Sequence, residues 1–181
     1  SDGCFYAPKA PGEKERGAAI TYDCKVDGEE FARYFLRRCA AEAFIGRFTD
    51  PSKLEPQLLD AYAAYFAGFH AKRRAYAPNW WPFGMYMKDK PVKSALDILK
   101  GARRDDRGAD PTVWQAGFFI HYLTTIDEAA VKDHFLRLLS GKATIADLHK
   151  AVFKDEKPES IGKAFDAYLK KYRDSFRHTD A

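Results

Sequence analysis

The sequence predicts a mainly α-helical domain, a bundle of about six or seven helices with a small N-terminal β-hairpin. Two-residue alternation is confined to the first 27 positions, whereas apolar residues recur at helical spacing through most of the remaining chain. Clusters of Pro and Gly cut that remainder into helix-sized segments. Composition agrees with one packed domain over residues 1–181: 46% of residues are hydrophobic, 15% aromatic and 31% charged.

Residues 3–7 and 18–24 read as short strands, with Ile20, Tyr22 and Cys24 alternating on one face. The polar stretch from Ala7 to Gly17, rich in Pro and Gly, is a loop between them, and together they form a hairpin over residues 1–27. Antiparallel pairing with Tyr6 opposite Tyr22 sets Cys4 opposite Cys24, a register in which cross-strand cysteines can meet bonding geometry. The pair then forms a disulfide in an extracytoplasmic or secreted setting, or remains two buried thiols. Cys39 is left over, buried and inert.

Two helices are expected in residues 28–77. Asp27 is a plausible N-cap for the first, to about Arg47, with Glu29 and Glu30 favoured in its first turn. Phe31, Phe35 and Cys39 share one face, while Arg33 and Arg37 point elsewhere. The second runs from about Glu55 to Tyr76, presenting Leu58, Leu59, Tyr62, Tyr65, Phe66 and Phe69. Its Ala61, Ala64, Ala67 and Ala71 form a stripe that permits close helix approach. Residues 78–90, opening with Pro78 and two tryptophans, are an aromatic loop. In the remainder, 91–181, helices are expected at 91–101, 111–125, 127–140, 144–153 and 158–176. Asp110 and Pro111 suit a helix start. The apolar segment from Trp114 to Leu123 is the expected central helix.

Several function classes find no signature. The net charge of +4 is mild, and no dedicated nucleic-acid surface is expected. The longest apolar runs, such as Ala116 to Ile120, are far too short to span a membrane. His70, His121, His134, His149 and His178 are widely separated, with no metal-ligand spacing among them. Gly-rich phosphate loops, C-x-x-C pairs and a G-x-S-x-G elbow do not occur. Asp127, Glu128 and Asp133 read as helix-start and surface charges.

Two neighbouring segments carry a family resemblance: Phe31-Ala-Arg-Tyr-Phe35-Leu-Arg-Arg-Cys39-Ala-Ala-Glu-Ala-Phe44 and Leu58-Leu-Asp60-Ala-Tyr-Ala-Ala-Tyr-Phe66. Their spacing resembles the two active-site helices of gluzincin zinc metallopeptidases. There, two His of H-E-x-x-H bind zinc and the Glu is the base, while a second helix like W-L-x-E-G-L-A-E-Y-F supplies the third ligand. The two His positions fall on Phe35 and Cys39, the base on Leu36 and the third ligand on Asp60. The segment from Trp114 to Leu123 resembles Y-A-Q-A-W-A-L-V-H-F-L of that family, and Ile161 to Tyr172 its closing helix. The resemblance spans residues 3–172 and implies a gluzincin-like helical lobe whose chemistry is lost. Phe35 has no donor atom and Leu36 accepts no proton, so no catalytic residue, metal or cofactor is implied, and these positions become packed core. Only about 27 residues precede the first helix where the family places a sheet. With no initial Met and no signal peptide, the chain is expected to be a trimmed piece of a larger protein or a reduced domain.

The leading expectation is a non-catalytic binding or structural module. An extended peptide along the hairpin edge, or a protein, is its natural partner. Trp80, Trp81 and Phe83 beside Arg73 and Arg74 could also stack on a carbohydrate or peptide. Alternatively, these aromatics plug the core beneath a wrapping loop. Two rival functions remain: a hydrolase with a relocated site, and a helical adaptor unrelated to zincins.

Overall fold

The computed structural model describes residues 3–4, 20–21, 24–70, 75–76, 111–154 and 156–176. The described residues are mainly helical. They hold α1 (Cys24–Phe48), a 3₁₀ turn (Pro51–Lys53), α2 (Pro56–Ala67), α3 (Pro111–Leu139), α4 (Ile145–Phe153) and α5 (Pro158–Phe176). The helix expected at 91–101 lies outside them.

Four dipeptides pair as short antiparallel bridges. β1 (Gly3–Cys4) joins β2 (Ile20–Thr21), and β3 (Phe69–His70) joins β4 (Ala75–Tyr76). Cys4 stands opposite Ile20, which corrects the register that set it opposite Cys24. Cys24 is instead the first residue of α1, three residues ahead of the expected N-cap Asp27. Asp27, Glu29 and Glu30 all fall in the opening turns, where the helix dipole favours negative charge. The second helix also departs from expectation. It ends at Ala67 rather than near Tyr76, with Gly68 as its C-cap. Glycine is a poor helix former, and the backbone beyond it turns into the β3–β4 pair.

From residue 111 onward the helices match their expected boundaries closely. The two helices expected at 111–125 and 127–140 form α3, which is interrupted at Asp127 (φ −149°, ψ 89°). Asp127 acts there as an internal N-cap, its Oδ1 accepting from the Ala130 amide at 2.9 Å. Thr144 caps α4 in a reciprocal box with Asp147. The Ile145 amide at the same helix start also donates to Glu55 Oε2 at 2.8 Å, tying α4 to the entrance of α2.

The core lies where α2 packs between α1 and α3, with α4 and α5 closing on α3. Leu58, Ala61, Tyr62 and Ala64 of α2 meet Phe118, Ile120, Leu123 and Leu138 of α3, and Phe165 and Leu169 of α5 complete the cluster. Of the expected alanine stripe, Ala61, Ala64 and Ala67 are buried on α2, Ala71 lies outside the described residues, and Ala64 marks a close helix approach. A Cβ built on Gly117 of α3 would stand 2.8 Å from Ala64 Cβ and 2.9 Å from Ala64 C. That approach leaves room for glycine alone.

Candidate functional site at the α1–α2 interface

Tyr34, Arg38, Cys39 and Glu42 of α1 are buried, at positions i, i+4, i+5 and i+8. Across from α1, Asp60 of α2 is 3% exposed. The sequence places charged residues at the centre of a helix–helix interface, where a charge must be paired to persist. Arg38 supplies the pairing. Its Nη2 donates to Asp60 Oδ1 at 2.9 Å, and its Nε lies 3.2 Å from Glu42 Oε1 one turn along the same helix. Arg38 and Glu42 are themselves only 3% and 1% exposed.

The electrostatics follow from this packing. Burial works against the Arg38 charge, yet Tyr34, Glu42 and Asp60 around it outweigh that effect and hold its pKa above the ordinary value. Burial pushes the Tyr34 phenol well above its usual range, with Glu42 and Asp60 adding to the rise against Arg38. Arg38 is therefore a fixed cation and Tyr34 a fixed neutral phenol at any physiological pH. Neither group is poised to move a proton.

The positions singled out by the gluzincin resemblance separate here. Asp60 is held by Arg38. Leu36 is 42% exposed, which corrects the expectation that it fills the core. It stands about 200° around the helix from Arg38, on the stripe of Leu36, Ala40, Phe44 and Phe48 that faces solvent. Phe35 belongs to α1, but its side chain lies outside the described residues, as do those of Cys4 and Cys24. Cys39 is buried and disulfide-bonded, which overturns the expectation that it is the leftover thiol. With three cysteines in the chain, a bonded Cys39 takes Cys4 or Cys24 and so removes the pairing of those two with each other. Arg73, Arg74, Trp80, Trp81 and Phe83 all lie outside the described residues.

Sequence reasoning missed Arg38 and Glu42. A signal existed: they fall at i+3 and i+7 from Phe35, on the helix face that carries Cys39. Charged residues are so seldom buried that this spacing was outweighed by residue type.

Two histidines provide the other polar interior. His134 is 1% exposed, with Nδ1 2.9 Å from the Tyr62 hydroxyl and Nε2 2.9 Å from the Thr144 carbonyl. A carbonyl only accepts, so Nε2 carries the proton and Nδ1 accepts from Tyr62. Burial holds the His134 pKa low, opposed by its bond to Thr144. Nearer the surface, His121 Nδ1 is hydrogen-bonded with the Tyr168 hydroxyl, and burial lowers its pKa to about 4.

Among the described residues, no three His, Cys, Asp or Glu side chains converge to hold a metal ion. No helix of the described residues is long and apolar enough to cross a membrane. The outer stripe of α1 presents Phe44 and Phe48, both exposed, with ring centroids 5.0 Å apart. Comparison with protein-family models, curated proteins and solved structures found no match.

Proposed function

We propose that the chain is a non-catalytic, peptidase-like domain serving as a binding or structural module, within a gluzincin-like bundle of six or seven helices and an N-terminal hairpin. The observation that carries this reading is the Arg38–Asp60 pair. In the resemblance, Asp60 stands where the third zinc ligand belongs, and here a buried guanidinium occupies its carboxylate. A metal ion could take that carboxylate only by leaving Arg38 buried beside a second cation, which is strongly unfavourable. The exposed Leu36 at the base position cannot accept a proton from water.

The direct trial is metal analysis of protein purified without chelator, followed by a peptide-cleavage assay with zinc supplied. Zinc well below stoichiometry and no chelator-sensitive cleavage are expected. Stoichiometric zinc with chelator-sensitive hydrolysis sinks the proposal. A peptide or protein along the hairpin edge is the proposed ligand, with carbohydrate at Trp80 and Trp81 as the alternative. The bonded state of Cys39 favours an extracytoplasmic or secreted location.

The exposed stripe of Leu36, Phe44 and Phe48 favours a second reading, a helical adaptor unrelated to zincins. Under that reading, Phe48→Ser weakens partner binding while leaving the unfolding midpoint nearly unchanged.

A further inference from the structure

We infer that the disulfide partner of Cys39 is Cys4, so that a covalent clasp fastens the N-terminal strand to the middle of α1 and Cys24 is the free thiol. Cys39 is bonded, and the chain contains only two other cysteines. Cys24 is excluded by helix geometry. It opens the same continuous helix that carries Cys39 fifteen residues later. At 1.5 Å per residue the two Cα atoms are about 22 Å apart, three times the reach of a disulfide. Cys4 belongs to β1, and β1 packs against α1. The register places Ile20 opposite Cys4, leaving no cross-strand cysteine to compete for it.

The consequence is specific to this fold. The bridge closes a loop between positions 35 residues apart, containing β1, β2 and the first half of α1. It meets α1 one residue from Arg38, at the edge of the buried ion cluster. The position that the resemblance gives to a metal-binding His is thereby used as a crosslink. This inference does not depend on the proposed function, since it needs only the bonded Cys39 and the continuity of α1. Formation is a two-electron oxidation. Cys4 and Cys39 thiols give up two protons and two electrons to a disulfide oxidant such as oxidised glutathione, which leaves as two thiols.

The test is cysteine mapping of the full chain after equilibration with oxidised glutathione and removal of the oxidant. The protein is denatured without reductant, alkylated, digested and analysed by mass. One alkylated cysteine, Cys24, and one crosslinked peptide joining Cys4 to Cys39 are expected. Cys24→Ala should leave that crosslinked peptide intact, while Cys4→Ala should render Cys39 fully alkylatable. Reductant should lower the thermal midpoint of the wild-type chain and leave that of Cys4→Ala unchanged. A peptide joining Cys4 to Cys24, alkylation of all three cysteines, or an interchain link through Cys39 overturns the inference.

Discussion

Where α1 meets α2, the interior holds a permanent cation against two carboxylates. Where α2 and α3 meet the start of α4, it holds a neutral imidazole between a phenol and a carbonyl. Both solutions satisfy buried polar groups, but they depend on different terms. The Arg38 cluster is held by charge in a low-dielectric interface, and removing one member takes a buried opposite charge from its partners. The His134 relay is held by donor–acceptor matching, and its loss costs only the desolvation of the group left behind. The ionic cluster should therefore be the more sensitive to substitution and the histidine region the more sensitive to acid.

Breaking the ionic side gives the largest expected effect. Arg38→Met leaves Glu42 and Asp60 buried without their cation and should cost about 3–5 kcal/mol, read from denaturant unfolding. A loss under about 1 kcal/mol would mean that the carboxylates reach water or other partners easily. Gly117→Ala probes the packing between the two polar regions. Its methyl meets Ala64 backbone, so about 1–3 kcal/mol should be lost through forced separation of α2 and α3.

On the neutral side, Tyr62→Phe removes the donor to His134 and should cost about 1–3 kcal/mol. Acid sharpens the same contrast. The His121 pKa is lowered from 6.5 to about 4 in the folded chain, so the unfolded chain binds more protons between those values. Stability is then fully present above pH 6.5 and falls as pH drops through 6.5 toward 4. Solvent screening at this half-buried site reduces the effect to about 1 kcal/mol. His134 shifts in the same direction and adds to the loss. His121→Gln should flatten the slope of stability against pH across this window. An unchanged slope would place the acid sensitivity elsewhere. The smallest change expected is for Thr144→Ala, about 1 kcal/mol from the lost α4 cap.

The two regions were also unequally legible in the sequence. The helices from residue 111 onward could be read closely because each carries a local signal: Pro111 at one start, Asp127 at the break and Thr144 at the next cap. The central burial of Ala116 to Ile120 followed from an uninterrupted apolar run. In α2 the stop was missed because apolar residues continue past Gly68, and periodicity masked a single terminating glycine. The Arg38 cluster was not legible because its partner Asp60 is 22 positions away and becomes a neighbour only through packing. Leu36 was misplaced for a related reason. An apolar residue beside a core position was assigned to the core, whereas helical geometry turns it to the opposite side.

A double-mutant cycle at Arg38 and Asp60 tests most directly whether this interface is a structural ion pair in place of a metal site. Unfolding free energies would be measured for Arg38→Met, Asp60→Leu and the double variant, in the presence of chelator and again with zinc. The account predicts a coupling of about 2–3 kcal/mol, with the double variant much less destabilised than the two single losses together, and no change on adding zinc. Additive losses, or a wild-type chain stabilised by zinc through Asp60, would contradict it.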